Sequence, residues 1–287
     1  MTLTTLPKLS TLAVLSLSLT LFACGDPDKD DTGPEGDTDT DTDADTDTDS
    51  DTDADTDTDT DGDTDSDGTF SGTVLSADGL PGVGEVQLCS SFCMTTDLNG
   101  DGGFLFSNLP TDRYGFHVEL GHDVAQGLFM FDVESGMDNP MASPYYAMDW
   151  EHETELEAGA TGTVSMGGDL FVAVDTDTLT LPLGTSDYII YGASVPDAFW
   201  PDIGSIDGEL VALWFLGPFN AAFDPPASFS IQQDFGLEEG TELNVLVADY
   251  LGADWASGGT ATVQGDGTIV NDTGSGILYT TAFALVK

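Results

Sequence analysis

The chain has 287 residues, with 53 acidic side chains against four basic ones and a formal net charge of −49 at pH 7. That length allows one or two domains, and without a cationic surface to displace counterions from phosphate, nucleic acid is excluded as a partner. From Thr69 onward 32 acidic residues face only Arg113 and Lys287, so contact of the folded part with an anionic membrane is disfavoured too, while solubility, salt tolerance and affinity for divalent cations are generic consequences.

Residues 1–23 read as an export signal. Met1–Lys8 carries one positive charge, and Leu9–Phe22 is a run of 14 apolar or small hydroxyl residues. That is short of the roughly 20 a membrane-spanning helix needs and fits a secretory core. Leu21-Phe22-Ala23-Cys24 closes the run. It resembles the lipobox of bacterial lipoproteins, although Phe22 departs from the small or β-branched residue usual there. The resemblance implies that Cys24 becomes the first mature residue and carries acyl chains, each buried CH₂ contributing about 0.8 kcal/mol to membrane anchoring. Gly25 after the cysteine resembles the outer-membrane sorting pattern.

Residues 24–68 form the expected tether. Every odd-numbered residue from Asp37 to Asp67 is aspartate, 16 in all, with Thr, Ser, Ala or Gly between them. A strand would line these carboxylates up about 7 Å apart, inside the Debye length of about 8 Å. Its other face would offer too little apolar surface to offset the ordering entropy. A disordered, charge-stretched spacer is therefore expected. Its Asp-Xaa-Asp-Xaa-Asp-Gly runs, Asp57–Gly62 and Asp63–Gly68, lack the acidic twelfth ligand of an EF-hand loop and would bind calcium only weakly and collectively.

Residues 69–135 are expected to fold as an antiparallel β-sandwich. Strand candidates are Phe70–Leu75, Val83–Cys89, Met94–Thr96, Phe104–Pro110, Arg113–Leu120 and a closing run through Phe129, Phe131 and Val133, with Gly, Pro and Asp turns between them. Gly72-Thr-Val, Val86-Gln-Leu, Thr96-Asp97 through Gly103-Phe104-Leu105-Phe106-Ser107-Asn108-Leu109-Pro110, Tyr114 and Val118 resemble the carboxypeptidase regulatory-like domain. The stretch from Asp97 to Gly103 is about two residues longer than usual there. The resemblance implies a transthyretin-like sandwich acting as an accessory, adhesive or spacer module, without carboxypeptidase activity.

Cys89 and Cys93 flank Ser-Ser-Phe, and in an exported protein a disulfide closing a hairpin is the simplest reading. Free thiols and a metal site are the alternatives. A metal would need further ligands, and His117, His122 and His152 lie at no zinc-like spacing from the pair. Asp97, Asn99 and Asp101 alternate like calcium ligands, but the twelfth position of such a loop is Asn108. A plain β-turn and a calcium site of another geometry both remain open there.

Residues 136–159 read as a connector. Its Glu151-His152-Glu153-Thr154-Glu155 lacks the second histidine of a zinc protease helix, position 156 being Leu, and reads as an acidic linker or edge strand. Residues 160–287 offer ten further strand candidates: 162–166, 170–174, 178–181, 187–194, 210–216, 227–232, 242–249, 259–264, 268–271 and 278–285. Trp200, Trp214, Trp255, Phe215 and Phe219 are expected in cores or interfaces, with an aromatic ligand platform as the alternative. Leu179–Pro182, Leu216-Gly-Pro218, Phe223–Ala227, Gly236–Gly240, Trp255 and Gly259–Asn271 loosely resemble ZU5-like β-sandwiches, which are structural or interaction modules. Ser275-Gly276-Ile277 lacks the self-cleavage step of some relatives.

The expected fold class is thus all-β, two consecutive antiparallel sandwiches after a signal peptide and an acidic tether, similar to the tethered surface lipoproteins of myxobacteria. No nucleophile elbow, zinc motif or phosphate loop is present, so no enzyme is expected, although abundant Asp and Glu leave a glycosidase-like carboxylate pair open. The expected function is a structural or adhesive cell-envelope protein in the outer membrane, facing the periplasm or the surface. The alternative is a binding lipoprotein for a glycan, a protein or a divalent cation. No cofactor is expected beyond weakly held calcium, and the membrane is met through Cys24.

Overall fold

The computed structural model describes residues 67–121, 123–201 and 206–287; Cys24 and nearly all of the acidic run lie outside them. The described chain is all-β. Its only helical element is a 3-10 turn at Asp197–Phe199, and none of its helices is long and apolar enough to cross a membrane.

The first module contains β1 (Gly68–Ser76), β2 (Glu85–Cys89), β3 (Cys93–Asp97), β4 (Gly103–Leu109), β5 (Asp112–Glu119), β6 (Leu128–Val133), β7 (Asp138–Pro140) and β8 (Tyr145–Ala147). One sheet has the order β3-β2-β5-β6; in the other β1 pairs with β4, β7 and β8. Alternation decides the inner faces. Phe70, Val86, Leu88, Phe104, Phe106, Tyr114, Phe116 and Val118 are buried between the sheets. Four of the module's phenylalanine rings pack at centroid distances of 5.0–5.9 Å, with Phe116 stacked on Phe104 and edge-on to Phe70 and Phe131. The Tyr114 hydroxyl donates to the Pro110 carbonyl at 3.1 Å, pinning the β4–β5 corner as tyrosine corners do in other sandwiches.

The segment expected as a connector is largely structured. β7 and β8 run parallel to β1, adding return strands to the otherwise antiparallel first module, and Tyr145 is fully buried. Strands of three residues, one of them ending in Pro140, carry no readable alternation, and only the pairing with β1 defines them.

The second module contains β9 (His152–Leu156), β10 (Thr161–Ser165), β11 (Leu170–Asp175), β12 (Leu179–Thr180), β13 (Tyr188–Ser194), β14 (Leu210–Gly217), β15 (Ala222–Ala227), β16 (Phe229–Ile231), β17 (Glu242–Asp249), β18 (Asp254–Val263), β19 (Ile269–Asn271), β20 (Ile277–Tyr279) and β21 (Ala282–Val286). Ten of these form one folded-over antiparallel sheet, β10-β11-β16-β19-β18-β17-β21-β14-β13-β9, and β12-β15-β20 form a small second sheet. The acidic Glu151–Glu155 stretch supplies the edge strand β9. The two ends of the large sheet approach each other where Gly192 lies against Met166. A Cβ on Gly192 would sit 2.4 Å from the Met166 carbonyl oxygen, so only glycine permits the approach. The run expected as one strand over 278–285 is broken into β20 and β21, because Thr280 and Thr281 turn inward to backbone acceptors at Ala221 and Ala248.

The two modules share apolar packing along β14 and β21. Trp214, Leu216, Phe283 and Leu285 point into the second module's own core. Leu213, Phe215, Ala282 and Ala284, on the opposite face, join the core of the first. A strand covered on both faces needs apolar residues at every position, which is how Leu-Val-Ala-Leu-Trp-Phe-Leu and Ala-Phe-Ala-Leu-Val read. The small alanines let the first module approach closely.

Candidate functional site

The residues singled out in sequence occupy different places. Cys89 ends β2 and Cys93 begins β3 as register partners, and their sulfurs are joined in a disulfide. Cys89 is buried and Cys93 exposed. The Tyr250 hydroxyl of the second module lies 3.3 Å from one sulfur and 3.1 Å from the other, so the disulfide forms part of the contact between modules.

Asp97, Asn99 and Asp101 frame the β3–β4 turn. The Asn99 side-chain oxygen accepts the backbone N–H groups of Asp101 and Gly103, each at 2.9 Å, and the Asn99 N–H donates to the Gly103 carbonyl at 3.0 Å. This is an Asx-type turn, in which the oxygen a cation would need already serves the backbone. Among the described residues no three His, Cys, Asp or Glu side chains are grouped to hold a metal. Glu151 is likewise occupied: one carboxylate oxygen accepts the Ser194 hydroxyl at 2.6 Å, the other the Gly168 N–H at 3.0 Å.

The outer face of the β3-β2-β5-β6 sheet, which carries Gln87, Cys89, Arg113, Gly115, His117 and Asp132, meets the second module. Arg113 Nε contacts Asp132 of β6 and Nη1 contacts Asp254 of β18, both at 2.8 Å. The hydrogen bond to Asp132, with the charge of both acids, holds the guanidinium above its usual pKa against partial desolvation. Side-chain exposures of 36% for Arg113 and 60% for Asp254 limit this bridge to the small worth of surface pairs. His117 is 4% exposed and stacks on Phe219 at 3.9 Å and 28°. Neither of its ring nitrogens meets a protein hydrogen-bond partner, and burial alone lowers its pKa to about 4. At the far end of the seam Phe215 stacks on Tyr145 at 6.1 Å and meets Phe129 edge-on at 5.6 Å. The Tyr145 hydroxyl accepts the Gly127 N–H at 3.1 Å, and burial pushes this phenol far up.

Several clefts open on the described surface, among them one of about 350 Å³ lined by Asp112, Arg113 and Asp254. One of about 490 Å³ lies on the outer face of β11, β16 and β19 beside Phe171, Ser230, Val270 and Asp272. A second, of about 470 Å³, holds Trp200, Asp197, Gln233 and Phe235; the Trp200 indole N–H donates to Val195 at 2.8 Å, which fixes its ring. Each of these two is lined by one carboxylate. A smaller one, about 220 Å³, lies where the modules meet and includes Trp150, Tyr191 and Phe219.

Of the expected large apolar groups, Trp214 and Phe215 are core residues, while Trp200, Phe219 and Trp255 are half-buried at seams and clefts. Sequence reading did not single out Tyr250, Trp150 or Tyr191, nor the pairing of His117 with Phe219.

No family model and no curated protein matches the chain. Among solved structures, similarity extends to the Bacillus anthracis TIE protein, at 8% identity and a TM-score of 0.27, covering 71% of this chain and 42% of that one. A candidate carbohydrate-binding protein from Bacteroides uniformis ATCC 8492 is similar at 11% identity and a TM-score of 0.24, covering 77% and 79%. The full-length major pilin SpaD from Corynebacterium diphtheriae is similar at 14% identity and a TM-score of 0.25, covering 77% and 56%. The chain thus spans less than half of the first of these proteins, and at such overlaps the likenesses carry no functional conclusion.

Proposed function

We propose that this chain is a non-enzymatic cell-envelope lipoprotein that displays a rigid pair of β-modules from a membrane on an acidic tether. The carrying observation is the shared packing along β14 and β21, because modules joined through a common core act as one body rather than as hinged halves that close on a substrate. A cysteine directly after an apolar leader supports the anchor, and the Asp-Thr run supports the spacer, which at 44 residues from Gly25 to Gly68 could reach at most roughly 145–160 Å. The motif resemblance between Gly72 and Val118 supports an accessory domain of the carboxypeptidase regulatory-like kind for the first module.

Replacement of Cys24 by serine tests the anchor. Palmitate labelling should disappear and the protein should leave the membrane fraction; unchanged labelling overturns the assignment. A second reading, recognition of a glycan or protein, draws on the Trp200 cleft, where a fixed indole sits beside Asp197 and Gln233. A glycan and surface-protein binding screen with the mature chain separates the two readings, because a Trp200→Ala-sensitive ligand would favour the second.

A further inference from the structure

The cleft of about 220 Å³ where the modules meet is strongly aromatic. Three aromatic residues line it, Trp150 before β9, Tyr191 on β13 and Phe219 after β14, together with Gln126. Trp150 and Tyr191 lie 5.3 Å apart at 31°. Their seating depends on Gly217, where a Cβ would come within 3.0 Å of the Trp150 ring and 3.2 Å of the Tyr191 Cβ. Phe219 is held from other sides by His117 at 3.9 Å and by Tyr250, edge-on, at 5.3 Å. All three lining residues are only partly buried.

Acidic groups border the same place. Glu153 is the direct cross-strand partner of Tyr191. Asp123 precedes the lining residue Val124, and its carbonyl accepts the Trp150 N–H at 3.4 Å. After burial itself, the charges of Glu153 and Asp123 are what raise the Tyr191 phenol. Neither Arg113 nor Lys287, the two basic side chains of the described part, lines the cleft. Arg113 is paired with Asp132 and Asp254.

We propose that this cleft binds a small quaternary or N-methylated ammonium ion, held by the rings of Trp150, Tyr191 and Phe219 with Glu153 and Asp123 as counter-charges. Aromatic faces attract such weakly hydrated cations through the ring quadrupole, and the surrounding negative field concentrates them. A strongly hydrated metal ion would instead need several oxygen ligands, and no such group of side chains occurs among the described residues. The proposal goes beyond the surface-display reading and does not depend on the anchor.

Calorimetric titration of the full mature chain with choline chloride, and with 3,3-dimethylbutanol as its uncharged isostere, tests this. Choline should bind saturably at one site, and the alcohol should not bind measurably. Trp150→Ala should weaken choline binding at least about tenfold. Should that variant fail to fold, judged by near-ultraviolet circular dichroism, Glu153→Gln and Asp123→Asn alter only partly or fully exposed carboxylates and should each weaken binding about threefold. Equal binding of the alcohol, affinity indifferent to all three substitutions, or unsaturable uptake of the kind the acidic run would give, each overturns the proposal.

Discussion

At the scale of single residues, His117 and Tyr145 show how the seam constrains its polar groups. His117 is buried without a hydrogen-bond partner and titrates at about 4, whereas an unfolded histidine titrates near 6.5. The unfolded state therefore binds the proton first, and the stability from burying a neutral ring, complete above pH 6.5, is lost as pH falls toward 4. The full difference is on the order of 3 kcal/mol. Acid also relieves carboxylate repulsion, so the readout is the difference in urea-unfolding free energy between the parent and His117→Phe. That difference should shift in favour of the variant between pH 7 and 4.5, and a pH-independent difference would refute the buried neutral imidazole. Tyr145→Phe leaves the Gly127 N–H without its acceptor in a buried site; a loss of about 1–3 kcal/mol by chemical denaturation is expected.

Among elements, β21 and the β2–β3 hairpin carry opposite kinds of constraint. β21 is buried at all five positions, with Phe283 and Leu285 inward and Ala282 and Ala284 against the first module. Phe283→Ala should cost about 3–5 kcal/mol through a cavity, and Ala284→Leu about 1–3 kcal/mol through overpacking. Only the second should raise protease sensitivity between the modules. The disulfide closes so short a ring that its contribution lies near the low end of the usual 2–4 kcal/mol. Intact-mass analysis should find the native chain about 2 Da lighter than its reduced form, and equal masses would contradict the bond. At the Asp97–Gly103 turn, Asn99 is engaged by the backbone, so titration with millimolar calcium should give at most weak heats; a micromolar site would overturn the turn assignment.

For the whole molecule, charge dominates. With −49 formal charges self-repulsion opposes compaction, and because exposed charges are screened within about 8 Å at physiological ionic strength, the midpoint of thermal unfolding should rise between 10 and 300 mM sodium chloride. A midpoint independent of salt would place the acidic groups too far apart to interact.

Much of this architecture was legible from residues alone, because the first six strands of the first module have their own period-two patterns and turns. Val86 and Leu88, Phe104 and Phe106, and Tyr114, Phe116 and Val118 alternate inward as expected, and Glu242–Asp249 spans β17 as read. What the chain order could not reveal was set by partners distant in sequence. β7 and β8 exist as strands because β1 lies beside them, and β15 forms across Pro225 and Pro226, residues that argue against a strand locally. Ala282 and Ala284 look like ordinary small residues until Leu213 and Phe215 bring the first module over them. The aromatic cleft unites Trp150, Tyr191 and Phe219, which share no motif and meet only because β9, β13 and β14 are neighbours in one sheet. Sequence by itself determined the all-β class and made a hairpin disulfide the simplest reading of Cys89 and Cys93, since these depend on local pattern. Tertiary structure alone decided that the two sandwiches share a core and where its seam opens, since those depend on which faces are brought within van der Waals reach.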